Sequence, residues 1–158
     1  MDISLKVGEY MLNYRVSALI KNKNKILIHH TIGKDHFTLP GGRVKAGESS
    51  ITALRREIKE EMGFDIEYVR PVSLIENFFE MKNNNYHELL FTHEVKFKNE
   101  ELYKLSRYEA IEEEKKGKLE FIWMDIDKLN DRILLPKKMY KVIKGDKGKF
   151  VHYINDER

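Results

Sequence analysis

Between Gly42 and Phe64 the chain reads GRVKAGESSITALRREIKEEMGF, a glycine-bounded loop running into an acid-rich segment. Ser49 and Ser50 are good helix N-caps and Gly63 is a natural left-handed stop, so this stretch predicts a helix over about residues 50–62. Within it Ile51, Leu54, Ile58 and Met62 recur at spacings of three and four, which makes one stripe apolar and turns it toward a core. On the other side Glu57, Glu60 and Glu61 stand at i, i+3 and i+4, so their carboxylates are neighbours on one helical face.

Like charges at that spacing cost an isolated helix roughly 0.2–0.5 kcal/mol per pair, and more where the face is shielded from water. Arg55, Arg56 and Lys59 offset part of this. A hard divalent cation does so more completely, and magnesium binds through a few carboxylates together with substrate phosphates. Taken alone, a charged helix face is ordinarily just solvated. What changes the weighing is the preceding loop, Leu39-Pro40-Gly41-Gly42, whose paired glycines allow a close backbone approach that side chains would block.

The spacing Gly42, Glu48, Arg56, Glu57, Ile58, Glu60, Glu61, Gly63, Phe64 matches every fixed position of the Nudix box, G-x5-E-x7-R-E-U-x-E-E-x-G-U, where U is a bulky apolar residue. The chain therefore resembles the Nudix (MutT-like) hydrolases, which cleave nucleoside diphosphates linked to another group. The resemblance implies that Glu57, Glu60 and Glu61, with the Gly41 carbonyl, hold Mg²⁺ or Mn²⁺. It implies also that Glu48 and Arg56 form an ion pair bracing the loop against the helix, with Gly42 and Gly63 as structural supports. Phe37 stands where relatives often carry tryptophan and Lys45 where many carry an acid; neither departure touches an expected ligand.

A chain of 158 residues suits one domain, here 1–158 with its core over about 12–145, large enough to enclose a core without staples. Cysteine is absent, so disulfides and thiolate metal sites are excluded. The amino terminus lacks a basic segment followed by an apolar run, and eighteen apolar residues never occur together, from which a soluble, cytoplasmic protein without a membrane partner is expected. A formal charge of +3 is too small an excess to argue for nucleic-acid binding, but is compatible with a small phosphorylated substrate.

Tyr14 to Ile20 and Lys25 to Ile32, separated by Lys21-Asn22-Lys23-Asn24, predict a hairpin before the box. Tyr68 to Met81 and Tyr86 to Phe97 predict a second, joined across Asn83-Asn84-Asn85. Beyond a polar region from Asn99 to Gly117, Leu119 to Met124 reads as a strand packing through its aromatic side. Pro136 followed by Met139, Tyr140, Val142 and Ile143, closed by Gly145, predicts a last helix. This element order resembles the Nudix fold, an α/β (α+β) arrangement in which a mixed sheet is sandwiched between helices.

Hydrolysis of a pyrophosphate bond, NDP-X to NMP plus P-X, needs charge neutralisation on phosphoryl oxygens and an oriented water, which bound divalent ions supply. Relatives draw the general base from a box glutamate or from a distant carboxylate. Glu57, Glu109, Glu112, Glu113, Glu114 and Glu120 are candidates, with Glu114 taken for the role beside Glu57, Glu60 and Glu61. His29, His30 and His36, and the aromatic group Phe78, Phe79, Tyr86 and His87, border the expected cleft, although such residues are more often packing groups. Gly145-Asp146-Lys147-Gly148-Lys149 lacks phosphate-loop spacing and is read as a turn. The rival reading is a Nudix-fold module that senses or binds a nucleotide without turning it over. Substrate identity and oligomeric state are not legible.

Overall fold

Residues apolar at successive positions, such as Ala18-Leu19-Ile20 and Ile26-Leu27-Ile28, demand burial on both faces of their strands, and the architecture follows from that demand. The computed structural model describes residues 1–158. In chain order it contains β1 (Ser4–Val7), β2 (Tyr10–Leu19), β3 (Lys21–Asn22), β4 (Lys25–Thr31), β5 (Gly41–Arg43), α1 (Ser50–Met62), β6 (Ile66–Met81), β7 (Asn84–Phe97), β8 (Arg107–Glu109), β9 (Leu119–Asp125), α2 (Met139–Lys144) and β10 (Val151–Asp156). The larger sheet runs β1-β2-β7-β6-β10, with β5 also pairing β2, and the smaller runs β3-β4-β9-β8. Parallel pairs β2–β7 and β6–β10 sit among antiparallel ones, so the larger sheet is mixed.

Two apolar cores lie on opposite sides of these sheets. Ala53, Leu54, Ile58 and Met62 of α1 pack with Val16, Ala18, Ile20, Leu27, Val95 and Phe121 in the first. Met139, Val142 and Ile143 of α2 pack with Leu19, Ile26, Ile28, Ile75 and Leu90 in the second. Consecutive residues of β2 and β4 are thus shared out between a core under α1 and a core under α2, which gives the helix, sheet, helix layering expected of the Nudix fold. No helix is long and apolar enough to cross a membrane.

The hairpin expected before the box needs correction. Strands β2 and β4 enter different sheets, and only the two-residue β3 folds back on β4. Strands that are apolar on both faces each take a long partner of their own, β7 for β2 and β9 for β4. The downstream hairpin forms, but its turn is Lys82-Asn83 rather than Asn83-Asn84-Asn85. Both turn residues have positive φ, 50° and 62°, the backbone of a two-residue type I′ turn that matches strand twist. Leu119 to Met124 forms β9 with Phe121 fully buried, and Asp146 to Gly148 forms the expected turn, closed by Gly148 N–H to Asp146 Oδ1 at 3.0 Å. Strands β1 and β10 lie outside the 12–145 span and extend the larger sheet at both edges.

Ile58 is fully buried beneath α1, where the helix meets both sheets. Ile58→Ala is expected to cost about 2–5 kcal/mol in urea unfolding, since the rigid surroundings only partly refill the void. A loss no larger than that of an exposed-site substitution would show that α1 is not anchored here.

Candidate active site

Helix α1 is capped as its sequence requires: Ser49 Oγ accepts from Thr52 N, and Gly63, at φ 81°, donates its N–H to Lys59 O. Ahead of it, β5 lays Gly41 and Gly42 against Ser17 and Val16 of β2. A side chain at 41 would collide with the Val16 carbonyl, and one at 42 with the Glu57 carboxylate, which rests directly on the Gly42 backbone. Both glycines are therefore needed to let the loop approach strand and helix at once.

Arg56 ties the assembly together. Its Nε and Nη2 grip both oxygens of Glu48 at 2.7 and 2.9 Å, Nη1 reaches Glu57 Oε1 at 2.8 Å and Glu60 Oε2 at 3.3 Å, and Nη2 also meets the Arg43 carbonyl at 3.0 Å. Glu48 Oε2 accepts in addition from Lys45 N at 2.9 Å. The fork-to-fork pairing with Arg56 holds the Glu48 carboxyl down to about 2. The brace expected between Glu48 and Arg56 is in place.

Glu57 and Glu60 share Arg56, while Glu61 feels the charges of Glu57 and Lys115. Glu61 is 4 % exposed, accepts from Lys115 Nζ through Oε1 at 2.7 Å, and keeps Oε2 buried with no partner. Burial pushes the Glu57 and Glu61 carboxyls up, with Arg56 opposing this at Glu57 and Lys115 at Glu61. Glu60, about half exposed, leans on Arg56. No three acids or histidines are arranged together as a ready ligand set, since side-chain cations hold the carboxylates instead. The donor chemistry nonetheless suits a hard divalent ion: oxygen ligands only, one buried carboxylate oxygen unsatisfied, and a cradle at Gly42 that any Cβ would fill.

Of the acids in the polar region, Glu112 stands at this site. Its Oε2 lies 3.5 Å from Lys115 Nζ, and its charge works with that of Glu57 to push Glu61 up. Glu114 is exposed on the same turn and has no side-chain partner, because the Glu112–Lys118 turn carries it outward. Glu120 is engaged with His30 at 2.9 Å. His29 is half-buried, bonded to Thr38 Oγ1 at 2.8 Å, and lowered to about 4 by desolvation with the charges of Arg15 and Lys115 adding to it.

A cavity of about 590 Å³ opens beside the glycine loop, walled by Leu39, Phe79, Met81, Leu90, Pro136 and Met139 and floored by Asn77 and Glu88. Arg15, which pairs across the ladder with Arg43, stands in its lining, so the cavity borders the box. Phe79 and His36 belong to it, whereas Phe78 and His87 pack against each other with tilted rings and are not in its lining. Arg15, Asn77, Glu88 and Lys115 were not among the residues expected from sequence. The available signal was polar residues at strand positions, Asn13, Asn77 and Glu88, that interrupt otherwise apolar runs.

The family model described as the NUDIX domain matches residues 11–145, and the chain belongs to that family. Among solved structures it is similar to an ADP-ribose pyrophosphatase from Streptococcus suis, at TM-score 0.58 and 15 % identity over 90 % of this chain and 98 % of that one. It is similar also to a NUDIX hydrolase from Nitrosomonas europaea, at TM-score 0.63 and 13 % identity over 92 % of this chain and 79 % of that one. In sequence it is 34 % identical over 64 residues to the mRNA-decapping enzyme subunit 2 of Saccharomyces cerevisiae, a match spanning 40 % of this chain and 7 % of the yeast protein.

Glu48 sits at about 2 in the folded chain against an ordinary 4.5, so its stabilising contribution is complete above pH 4.5 and is lost as pH falls toward 2. Glu48→Gln should lower the melting temperature at neutral pH and flatten the acid limb of the stability curve across that window. Curves that stay parallel to wild type down to the lower limit would contradict the brace.

Proposed function

We propose that the chain is a divalent-metal-dependent pyrophosphohydrolase, cleaving a nucleoside di- or triphosphate derivative to a nucleoside monophosphate and the phosphorylated remainder. The observation that carries this reading is the Glu57–Glu61 pair beside a glycine cradle, a half-buried and a buried carboxylate that burial raises despite Arg56 and Lys115, with one Glu61 oxygen left without a partner. A purely structural helix gains nothing from such a pair, whereas a site that accepts a cation and phosphate needs it.

Glu57, Glu60 and Glu61, with the Gly41 carbonyl, are the groups that would hold Mg²⁺ or Mn²⁺. When bound, the ion withdraws charge from the phosphoryl oxygens and favours attack by water. Arg56 keeps the Glu57 carboxylate facing Gly42 and so fixes the scissile region relative to the loop. Lys115, which holds Glu61 Oε1, would meet a phosphate oxygen if freed from that contact, and Arg15 offers a second positive group in the cavity lining. Glu112 is the acid of the polar region placed to receive a proton near Glu61, in the role expected of Glu114. The cavity would receive the nucleoside, with its phosphates directed toward the box. The neighbour named as an ADP-ribose pyrophosphatase supports a substrate with a diphosphate link.

The Lys115–Glu61 contact is the one observation that favours a second reading, a nucleotide-binding module without turnover, since it closes one ligand oxygen. Against it stands the retention of every box carboxylate.

Incubation with a panel of nucleoside triphosphates and nucleoside diphosphate derivatives, in Mg²⁺, Mn²⁺ or chelator, should give metal-dependent release of a nucleoside monophosphate. No cleavage across the panel with either ion would leave the binding module. On the substrate found, Glu112→Gln should lower kcat by about 10²–10⁴-fold as expected for loss of a general base. If Glu114→Gln lowers it that far and Glu112→Gln does not, the role returns to Glu114.

A further inference from the structure

The larger sheet carries a polar row across five strands where its alternation calls for apolar residues. Ser4, Asn13, Glu88, Asn77 and Asn155 stand in register from β1 through β2, β7 and β6 to β10. Four of them are buried: Asn13, Asn77, Glu88 and Asn155. The amides satisfy one another. Asn155 Nδ2 donates to Asn77 Oδ1 at 2.8 Å, Asn77 Nδ2 donates to Glu88 Oε1 at 3.3 Å, and Lys138 N donates to Asn155 Oδ1 at 3.2 Å. Glu88 is the exception. It is 7 % exposed, pairs with no cation, and that one long bond from Asn77 is its only side-chain contact with a donor. Its remaining acceptor capacity is available to whatever fills the cavity it lines.

We propose that Glu88 determines specificity in this cavity, reading a guanine-type base through two adjacent N–H donors. The inference rests on the nucleotide-hydrolase reading for the orientation of the substrate, phosphates toward the box and base toward Glu88. Glu88 pairs with Asn13, three residues along β2 from the Val16 partner of Gly42, or about 10 Å at the rise of an extended strand. A nucleoside bridges such a separation between its base edge and its phosphates.

The chemistry selects among bases. A carboxylate only accepts hydrogen bonds, so it favours an edge bearing donors side by side and repels ring acceptors. Guanine offers N1–H next to its 2-amino group. Adenine and cytosine set one donor beside an acceptor, and uracil sets one donor between two carbonyls. The vicinal hydroxyls of a sugar also give two donors, but a sugar is hydroxylated on its faces, and the apolar part of the lining, Leu39, Phe79, Leu90 and Met139, offers those hydroxyls no partner. A flat base has the apolar faces those walls need, and Phe79, itself stacked on Tyr86 at 4.9 Å, supplies a fixed ring at one end.

Binding of GMP, IMP and AMP to the intact chain, followed by calorimetry or protein NMR, tests this without requiring turnover. IMP is GMP without the 2-amino group, so the pair isolates the second donor. Wild type should bind GMP about tenfold or more tighter than IMP or AMP, the discrimination expected of a bidentate base contact. In Glu88→Gln, nearly the same size but with one acceptor replaced by a donor, the GMP-to-IMP ratio should fall to about twofold or less. Equal binding of GMP and IMP by wild type, a preference that survives Glu88→Gln, no detectable GMP binding, or competition by ribose 5-phosphate as strong as by GMP would each overturn the assignment. The wild-type comparison stands even if the variant fails to fold. Turnover of the nucleotide panel without GMP-to-IMP discrimination would remove this inference and keep the hydrolase, and discrimination without turnover would do the reverse.

Discussion

One guanidinium holds the geometry on which the rest of the molecule's chemistry depends. Arg56 projects from α1 and binds Glu48 in the loop, the carbonyl of Arg43 at the end of β5, and Glu57 on its own helix. Loop, strand and helix are thereby fixed to one planar group whose donors match carboxylate geometry, a task a lysine's single point charge does not perform. The glycines then do what no other residue can, because the Glu57 carboxylate occupies the space that a side chain at 42 would need.

That geometry is held at a cost to the folded chain. Glu57 and Glu61 are pushed toward neutrality by burial, and Glu61 keeps one oxygen with no partner. Lys115 offsets part of the deficit, and its own ammonium stays charged against burial because Glu61 faces it. Glu88, in the cavity lining, is a further buried carboxylate and has no cation partner. Arg15 in the same lining pairs with Arg43 beside the box, so the two carboxylate sites are linked through β2. Carboxylates left with spare acceptor capacity, Glu61 beside the glycine loop and Glu88 in the cavity, are the pattern of a site shaped for a ligand rather than for the fold.

The sequence made the box helix legible almost to the residue because everything that defines it is local: Ser49 at one end, Gly63 at the other, and a three-four apolar spacing between them. The Glu48–Arg56 pair followed from the resemblance. Pairing between strands was harder to read. The apolar runs of β2 and β4 looked like one hairpin, since local pattern does not distinguish strands that share a sheet from strands buried in two. The type I′ turn at Lys82-Asn83 escaped for a similar reason: three consecutive asparagines suggested a turn one residue later. Glu88 and Asn77 matter only because β6 and β7 bring them into register across the hairpin, and Lys115 only because its turn folds back on α1. Such long-range placements leave no trace in spacing.

The central claim is that the buried acids of α1, held against the glycine loop, exist to take a divalent cation. Titration of Mn²⁺ into the purified chain, with free ion read by electron paramagnetic resonance, tests it before any substrate is known. The account predicts saturable binding in wild type that is lost or greatly weakened in Glu57→Gln and in Glu61→Gln, both still folded by circular dichroism. Mn²⁺ binding that is the same in wild type and in both variants would contradict it.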